Sequence, residues 1–550
     1  MPALVLAVVC IFDEWRSMRV PSMPLERSYG TIPHAWLRWV VACAALGVWL
    51  IEMHSLLSDA GTIIAFGWTG YPVAGPMAVQ HGVWVIVAMS LGIVASLLRP
   101  QIGAHPAVYL LHVLGTWILV RLDNWASFGG GLLVAAALPT MALPLAQAAM
   151  RHRPLATMTL TWLLATVFLF LGVLTVAYAF LPGAKVMREH TPALLAVQTV
   201  VLGAGLWNAR GKDVLARLVP AAAVHARHMR QAVCALVAVL LALAAMVPRL
   251  RDVPLDTIVP SVPDERVLTA GIWTVHFGLD QNMQDSTRRM SRLFKELDMD
   301  VVGLLETDLH RPVFGNRDMT QWLAEDLGMH ADLGPSPKKH TWGAVLLSKF
   351  PIINSTHHLL PSPHGELAPA IHAVLDVFGV PTHVVVSHNG QEEDALDREL
   401  QTTELARILR EAYPHPAIFL GYMVTLPHAA RPAPYRILFE DGLVFDVDPS
   451  DHDRWCQYLG FRGLERVAYA RVSRSTVTDT ELQTFKLYVP PVGEPLHPDR
   501  DVRPAQLPIP PLDRAPWHYP ESLMKPEIHP KRTHRYYPNF APQYFVADEA

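Results

Sequence analysis

The chain has 550 residues, of which 51% are hydrophobic and only 17% charged, and its formal net charge is −4. That length allows two or three domains. A soluble domain carries about 25% charged residues, so the shortfall points to a membrane, and the slight negative charge excludes nucleic acid as the partner. The four cysteines, Cys10, Cys43, Cys234 and Cys456, form no C-x-x-C, zinc spacing or disulfide framework.

The first 12 residues are apolar but too short to span a bilayer, and 1–38 reads as a cytoplasmic N-terminal segment. A crossing helix needs about 20 apolar residues. Seven stretches reach or approach that length: 39–58, 81–98, 104–120, 128–150, 155–181, 192–208 and 231–248, giving a membrane domain over 39–248 with about seven helices. Residues 60–98 hold no Lys, Arg, Asp or Glu, but Gly61, Gly67, Gly70, Pro72, Gly75 and Pro76 make 60–80 a lumenal or re-entrant loop. Within the first span, Glu52 and His54 sit near its far end, where they would meet a lipid head group or simply mark the interface. With the N-terminus in the cytoplasm, twelve Lys or Arg fall in cytoplasmic segments and three (Arg121, Lys185 and Arg188) in the short opposite loops. This bias sets the C-terminal half on the far side of the membrane, the lumen of a secretory compartment. The sequon Asn354-Ser355-Thr356 lies on that side.

Residues 249–264 form a linker, and the pattern then changes. Alternating and buried apolar runs at 267–275, 300–305, 342–348, 373–377, 383–387 and 417–420 read as strands. Residues 285–297, with Met290, Leu293, Phe294 and Leu297 on one face, and residues 396–412 read as helices. This order suits a layered α/β domain over 265–490. Polar groups recur where strands end: Glu306, His388, and the cluster Asp446, Asp448, Asp451 and His452. A carboxylate at the end of a buried strand is costly unless it is paired, so it often serves a metal or a proton transfer; a single one could merely mark a strand end in solvent, but their recurrence in one domain favours the functional reading. His357-His358 and Lys338-Lys339-His340 read as solvated loop segments. Residues 491–550 form a tail rich in proline and aromatic residues.

The strings Val301-Val302-Gly303-Leu304-Leu305-Glu306, Trp342-Gly343-Ala344-Val345-Leu346-Leu347-Ser348 and Val386-Ser387-His388 resemble the endonuclease/exonuclease/phosphatase superfamily, which implies a two-layer sheet sandwich. The resemblance implies that Glu306 binds Mg²⁺, that His388 contacts the scissile phosphate, and that Ser450-Asp451-His452 stands for the final Asp-His pair. Two positions depart from the pattern. Thr274 stands where the superfamily has Asn, and Gly421-Tyr422-Met423-Val424-Thr425 replaces its Gly-Asp-x-Asn. Asp453-Arg454-Trp455-Cys456-Gln457-Tyr458-Leu459, Tyr469-Ala470-Arg471-Val472-Ser473, Asp479-Thr480-Glu481-Leu482-Gln483 and Arg535-Tyr536-Tyr537-Pro538 are similar to a narrower group. This is the calcofluor-white-hypersensitive family, whose animal members are the post-GPI-attachment-to-proteins factor-2-interacting proteins. For that family the chain is short at its N-terminus.

That resemblance implies lipid remodelling of GPI-anchored proteins in the endoplasmic reticulum membrane, with ceramide replacing the anchor lipid. GPI-anchored proteins and ceramide would be the substrates, with membrane lipids and a GPI-remodelling protein as further partners. Glu306 would hold the metal; His388, with Asp448 or Asp451 and His452, would move protons and orient the attacking hydroxyl. Two alternatives stay open. One is a non-catalytic lumenal module that binds the inositol-phosphate glycan; the other is a Mg²⁺-dependent lumenal phosphodiesterase.

Overall fold

Long runs of small and aliphatic residues build the N-terminal half as a helical bundle. The structure is a computed structural model. It describes residues 35–493 apart from 74–77, 100, 151–153, 176–180, 210–222, 251–257, 262, 281, 308–318, 336–342, 391–392, 450, 453, 455, 474–476 and 479. The aromatic tail and the Lys338-Lys339-His340 segment therefore lie outside the described residues.

The bundle comprises α1 (Ala35–Leu57), α2 (Ala60–Phe66), α3 (Ala78–Leu98), α4 (Pro106–Arg121), α5 (Asn124–Ala137), α6 (Ala142–Ala149), α7 (Pro154–Leu174), α8 (Thr191–Ala209) and α9 (Ala223–Leu250). Among the described residues, six helical segments are long and apolar enough to cross a membrane, with α5 and α6 counting as one through the 3-10 turn Leu138–Met141. The chain is thus a multi-pass membrane protein. The remaining expected stretch is α4, whose 16 residues rise about 24 Å, short of a core about 30 Å thick. It is held by close packing on α5: a Cβ on Gly130 would stand 2.6 Å from the Leu119 nitrogen, so only glycine lets the two backbones approach this closely.

The expected loop at 60–80 is partly helical. Asp59 accepts from the Gly61 amide (2.9 Å) and starts α2 there. Glu52 also departs from expectation. It is buried in the bundle, 3.4 Å from His112 on α4, whereas His54 is exposed.

Among the described residues, the C-terminal half carries twelve strands in two six-stranded sheets. The first sheet contains β1 (Val267–Thr274), β2 (Val301–Leu305), β3 (His330–Gly334), β4 (Ala344–Ser348), β11 (Glu465–Ser473) and β12 (Glu481–Tyr488), in the order β11-β12-β1-β2-β4-β3. The second contains β5 (Ile352–Leu360), β6 (Ala368–Val377), β7 (Val380–His388), β8 (Ala417–Tyr422), β9 (Phe445–Asp446) and β10 (Gln457–Arg462), in the order β5-β6-β7-β8-β10-β9. Ile272, Leu305, Val384, Leu420 and Phe485 fill the space between them. Helices α10 (Thr287–Glu296) and α11 (Met319–Leu327) cover the outside of the first sheet through Phe294 and Leu323, which pack with Trp273. Helix α12 (Ala395–Glu411) covers the second sheet through Leu405 and Leu409. This is the expected two-layer sandwich flanked by helices.

The site is positioned by strand direction. β1 and β2 run parallel, as do β7 and β8, so Thr274, Glu306, His388 and Tyr422 all arrive at strand C-terminal ends. β10 and β12 run antiparallel to β8 and β1 and begin at that same end, with Gln457 opposite Tyr422.

Among the described residues, the bundle touches the sandwich in two places. In the α2–α3 loop, the Tyr71 amide donates to the Ser355 hydroxyl (2.9 Å) and the Ser355 amide donates to the Tyr71 carbonyl (3.0 Å). The Tyr71 hydroxyl also donates to the Ala331 carbonyl on β3 (3.3 Å). In the α7–α8 loop, Lys185 donates to the Pro363 carbonyl (3.1 Å) and Arg188 to that of Ser362. Residues 361–367 join β5 to β6, and Ala370 on β6 pairs with Ser387 on β7. The second contact therefore falls at the His388 end of the sandwich.

Candidate functional site

Glu306 follows a fully buried strand and turns out of it in the left-handed region (φ 57°). That conformation costs a non-glycine residue about 1–2 kcal/mol. The turn is secured because the Phe277 amide donates to the Glu306 carbonyl (2.7 Å). The carboxylate so aimed lies 3.2 Å (Oε1) from His388 Nε2, one residue coming from each sheet.

His388 is buried, and its ring stacks on Tyr422 with centroids 4.7 Å apart. Its Nδ1–H donates to the Asn389 carbonyl (2.8 Å). With that proton committed, a hydrogen bond to Glu306 requires a second proton on Nε2 or one on the carboxyl. A proton at the Nε2–Oε1 contact could pass between ring and carboxyl, the requirement for general acid–base work.

The turn carrying His388 is braced from α12. Asn389 donates to the Thr402 hydroxyl (2.8 Å) and the Gly390 amide to Gln401 Oε1 (2.7 Å). Gln401 donates in turn to the Ser362 hydroxyl (2.9 Å). Since Ser362 is also the Arg188 contact, a continuous set of hydrogen bonds runs from the membrane bundle to the His388 turn. Arg398 flanks the same end, donating to the Val424 carbonyl (2.6 Å).

The positions that depart from the superfamily pattern form the other wall. Thr274 is buried; its amide donates to Gln457 Oε1 (2.6 Å), and its carbonyl accepts from the Thr478 and Thr480 hydroxyls (3.1 and 2.7 Å). Gln457 Nε2 donates to the Glu481 carbonyl. This wall offers hydroxyls and an amide. Gln457, Thr478 and Thr480 were not singled out from the sequence: an uncharged side chain at the start of a strand carries no signal until its neighbours are known.

Asp448, Asp451 and His452 fall in a second cluster, which reaches the first through Glu481 and Gln457. Its centre is Arg454, 1% exposed and bidentate on Asp446 (2.6 Å for both bonds). Burial works against the Arg454 charge, yet the Asp446 carboxylate beside it holds the guanidinium well above its usual value. Asp451 lies 3.1 Å from Arg471 and accepts from the Tyr469 hydroxyl (2.9 Å). Asp448 lies 4.0 Å from Arg466, whose charge burial disfavours. Glu481, 3.4 Å from Arg471, has its carboxyl pushed up by burial, with Arg471 opposing. Three buried arginines need counter-ions, which is why these carboxylates gather here. His452 is exposed, its ring 5.4 Å from that of His428. Of the five residues proposed from the sequence, the structure joins Glu306 to His388 and seats Asp448 and Asp451 against arginines.

Among the described residues no three His, Cys, Asp or Glu side chains converge as metal ligands. Glu306 therefore supplies one carboxylate, which suits a Mg²⁺ that takes the rest of its shell from substrate phosphate and water but not an all-protein cage.

Comparison with known proteins accounts for both halves. Residues 35–214 match the family described as PGAP2IP, second transmembrane domain, and residues 265–507 match PGAP2IP, C-terminal nuclease-like domain. The chain belongs to this family. It is also similar to Protein cwh43 of Schizosaccharomyces pombe, 40% identical over 514 residues, which cover 89% of this chain and 50% of that protein. The chain thus spans about half the length of that curated relative. The sandwich is similar to an endonuclease/exonuclease/phosphatase from Beutenbergia cavernae, 18% identical over 41% of this chain and 72% of that one, TM-score 0.33. It is similar also to the human Nocturnin catalytic domain with bound sulfate anion, 16% identical over 40% and 94%, TM-score 0.33. The C-terminal domain of this family member is a two-sheet domain of the endonuclease/exonuclease/phosphatase type.

Proposed function

We propose that the chain remodels the lipid of GPI-anchored proteins at the lumenal face of the endoplasmic reticulum membrane, exchanging it for ceramide in the Glu306–His388 cleft. The observation that carries the proposal is the Glu306–His388 contact at the end of the sandwich that meets the membrane bundle. A phosphodiester between a lipid in the bilayer and a glycan outside it lies at that boundary. The lumenal placement is supported by the charge bias of the loops with α4 counted as a seventh, short crossing, which also sets the α2–α3 and α7–α8 loops together on the side of the C-terminal domain they contact.

In the exchange, the ceramide hydroxyl oxygen bonds to phosphorus while the bond from phosphorus to the departing lipid oxygen breaks. The proton lost by the incoming hydroxyl equals the one gained by the leaving oxygen, and His388 Nε2 is placed to carry it. Glu306 stabilises the charged imidazole. A Mg²⁺ held by Glu306 together with the substrate phosphate would add Lewis-acid stabilisation. Asp448 and Asp451 act at one remove, fixing the arginines beside the cleft, and His452 stands at the exposed rim of that cluster. The spans hold the lipid tails and keep water from competing with ceramide.

A second reading is favoured by the Thr274, Tyr422 and Gln457 wall, which lacks a second acid: the domain binds the inositol-phosphate glycan and presents it to a partner enzyme. The deciding experiment gives purified full chain in lipid nanodiscs a GPI-anchored protein and isotope-labelled ceramide. Label transferred to the anchor supports exchange, and release of the lipid to water supports a phosphodiesterase. Saturable glycan binding with neither product supports the binding module.

A further inference from the structure

The tripeptide Asn354-Ser355-Thr356 lies on β5, an outermost strand of the second sheet. Of the chain's seven asparagines, Asn354 alone is followed two residues later by Ser or Thr with no Pro between, the pattern that accepts an N-linked oligosaccharide. A match of this kind arises often by chance. What the fold adds is where the three side chains go.

Successive residues of a strand face opposite sides of their sheet. Ser355 is buried, its hydroxyl accepting from the Tyr71 amide, and His357 faces the same way, 2.7 Å from Asp332. Asn354 and Thr356 therefore share the other side, and both are exposed. Asn354 pairs with Val374 on β6 immediately after a bulge, where the register shifts between Ile352 and Asn354. A bulge bends its strand and re-aims the side chains beside it. A large hydrated group on the Asn354 amide thus meets solvent, and it leaves the Ser355–Tyr71 contact on the opposite side undisturbed.

We propose that Asn354 is a modification site that carries an N-linked oligosaccharide. The Asn354 amide nitrogen bonds to the anomeric carbon of an oligosaccharide held on a lipid diphosphate, supplied with its transferase by the compartment. The bond from that carbon to the diphosphate oxygen breaks, the diphosphate leaves with the electron pair, and the amide proton passes to base. Thr356 supplies the hydroxyl that the pattern requires. The proposal rests on the lumenal placement of the C-terminal domain and needs nothing of the chemistry in the Glu306–His388 cleft.

The test produces the full chain in eukaryotic cells and isolates sealed microsomes. Peptide N-glycosidase should increase gel mobility in a single step. Mass spectrometry of the treated, unaltered chain should find Asp at position 354, because the enzyme converts a glycan-bearing Asn to Asp. N354Q and T356V should lose the step, and S355A, which keeps the pattern, should retain it. Protease added outside the sealed microsomes reads the placement separately. A protected C-terminal domain without the step overturns the glycan and leaves the lumenal placement standing. A digested domain without the step overturns both. A step that survives in N354Q places the glycan elsewhere and overturns the proposal too.

Discussion

Replacing His388 with Asn removes the proton carrier at Nε2 and little else. The shorter side-chain amide takes the place of Nδ1, now 2.8 Å from the Asn389 carbonyl, and the planar group still faces Tyr422. What is lost is the proton at the 3.2 Å contact with Glu306. A positioned acid–base group contributes about 10²–10⁴-fold, or about 3–5 kcal/mol of barrier at 1.36 kcal/mol per factor of ten. Ceramide transfer should fall by that factor, with glycan binding within about threefold of the unaltered chain, since the rest of the wall is intact. The assay is the nanodisc exchange reaction, run beside a binding isotherm for the same preparation. An exchange rate within tenfold of the unaltered chain refutes the proton-carrier role. Equal losses of binding and rate would show that His388 holds substrate rather than moving a proton.

Three further outcomes follow from the geometry. Asp446→Ala leaves the buried Arg454 charge without its bidentate partner and should cost about 3–5 kcal/mol, whereas D446L/R454M should be near neutral; hydrogen exchange along β10 in the full chain reads both. His372 and His383, in contact at 2.8 Å, are both pulled down to about 4, first by burial and then by neighbouring positive charge. The unfolded chain, titrating near 6.5, binds more protons between about pH 4 and 6.5, so stability falls as pH drops through that window, by on the order of 1–2 kcal/mol after discounting partial exposure. H372V/H383V should flatten this part of the stability-versus-pH curve, and an unchanged slope would assign it to other groups. Gly70→Ala puts a side chain at φ +103° with Cβ 2.4 Å from Ser355 Oγ. It should cost about 1–3 kcal/mol and raise protease cleavage in the α2–α3 loop while leaving the sandwich core protected.

The parts of this architecture legible in the sequence are those whose signal is local. The spans show because a bilayer demands a long uncharged run, and β2, β7 and β8 show because both of their faces are buried. β5 was missed because Asn354, Ser355, Thr356 and His357 read as a polar loop. The structure places His357 inside, 2.7 Å from Asp332, beneath a contact supplied by a segment almost 300 residues away. β12 was hidden likewise: Thr484 and Lys486 are buried although their types belong on a surface. In the site, Glu306 and His388 were visible as polar residues closing apolar strands. The partners of Asp448 and Asp451 were not, because an aspartate facing an arginine two strands away looks in sequence like one facing a metal. Glu52 gave no hint of His112, since helix neighbours in a bundle carry no fixed spacing.

Tyr71 reaches both β5 and β3, the outermost strands of the two sheets on the same side. An outermost strand offers its spare backbone groups to any extended chain it meets, and here a piece of the membrane bundle takes that place. In the full chain that flank is therefore sealed by the α2–α3 loop of the bundle. Produced alone, the C-terminal domain would carry an open flank, and its characteristic failure would be self-association along β5 rather than loss of its core.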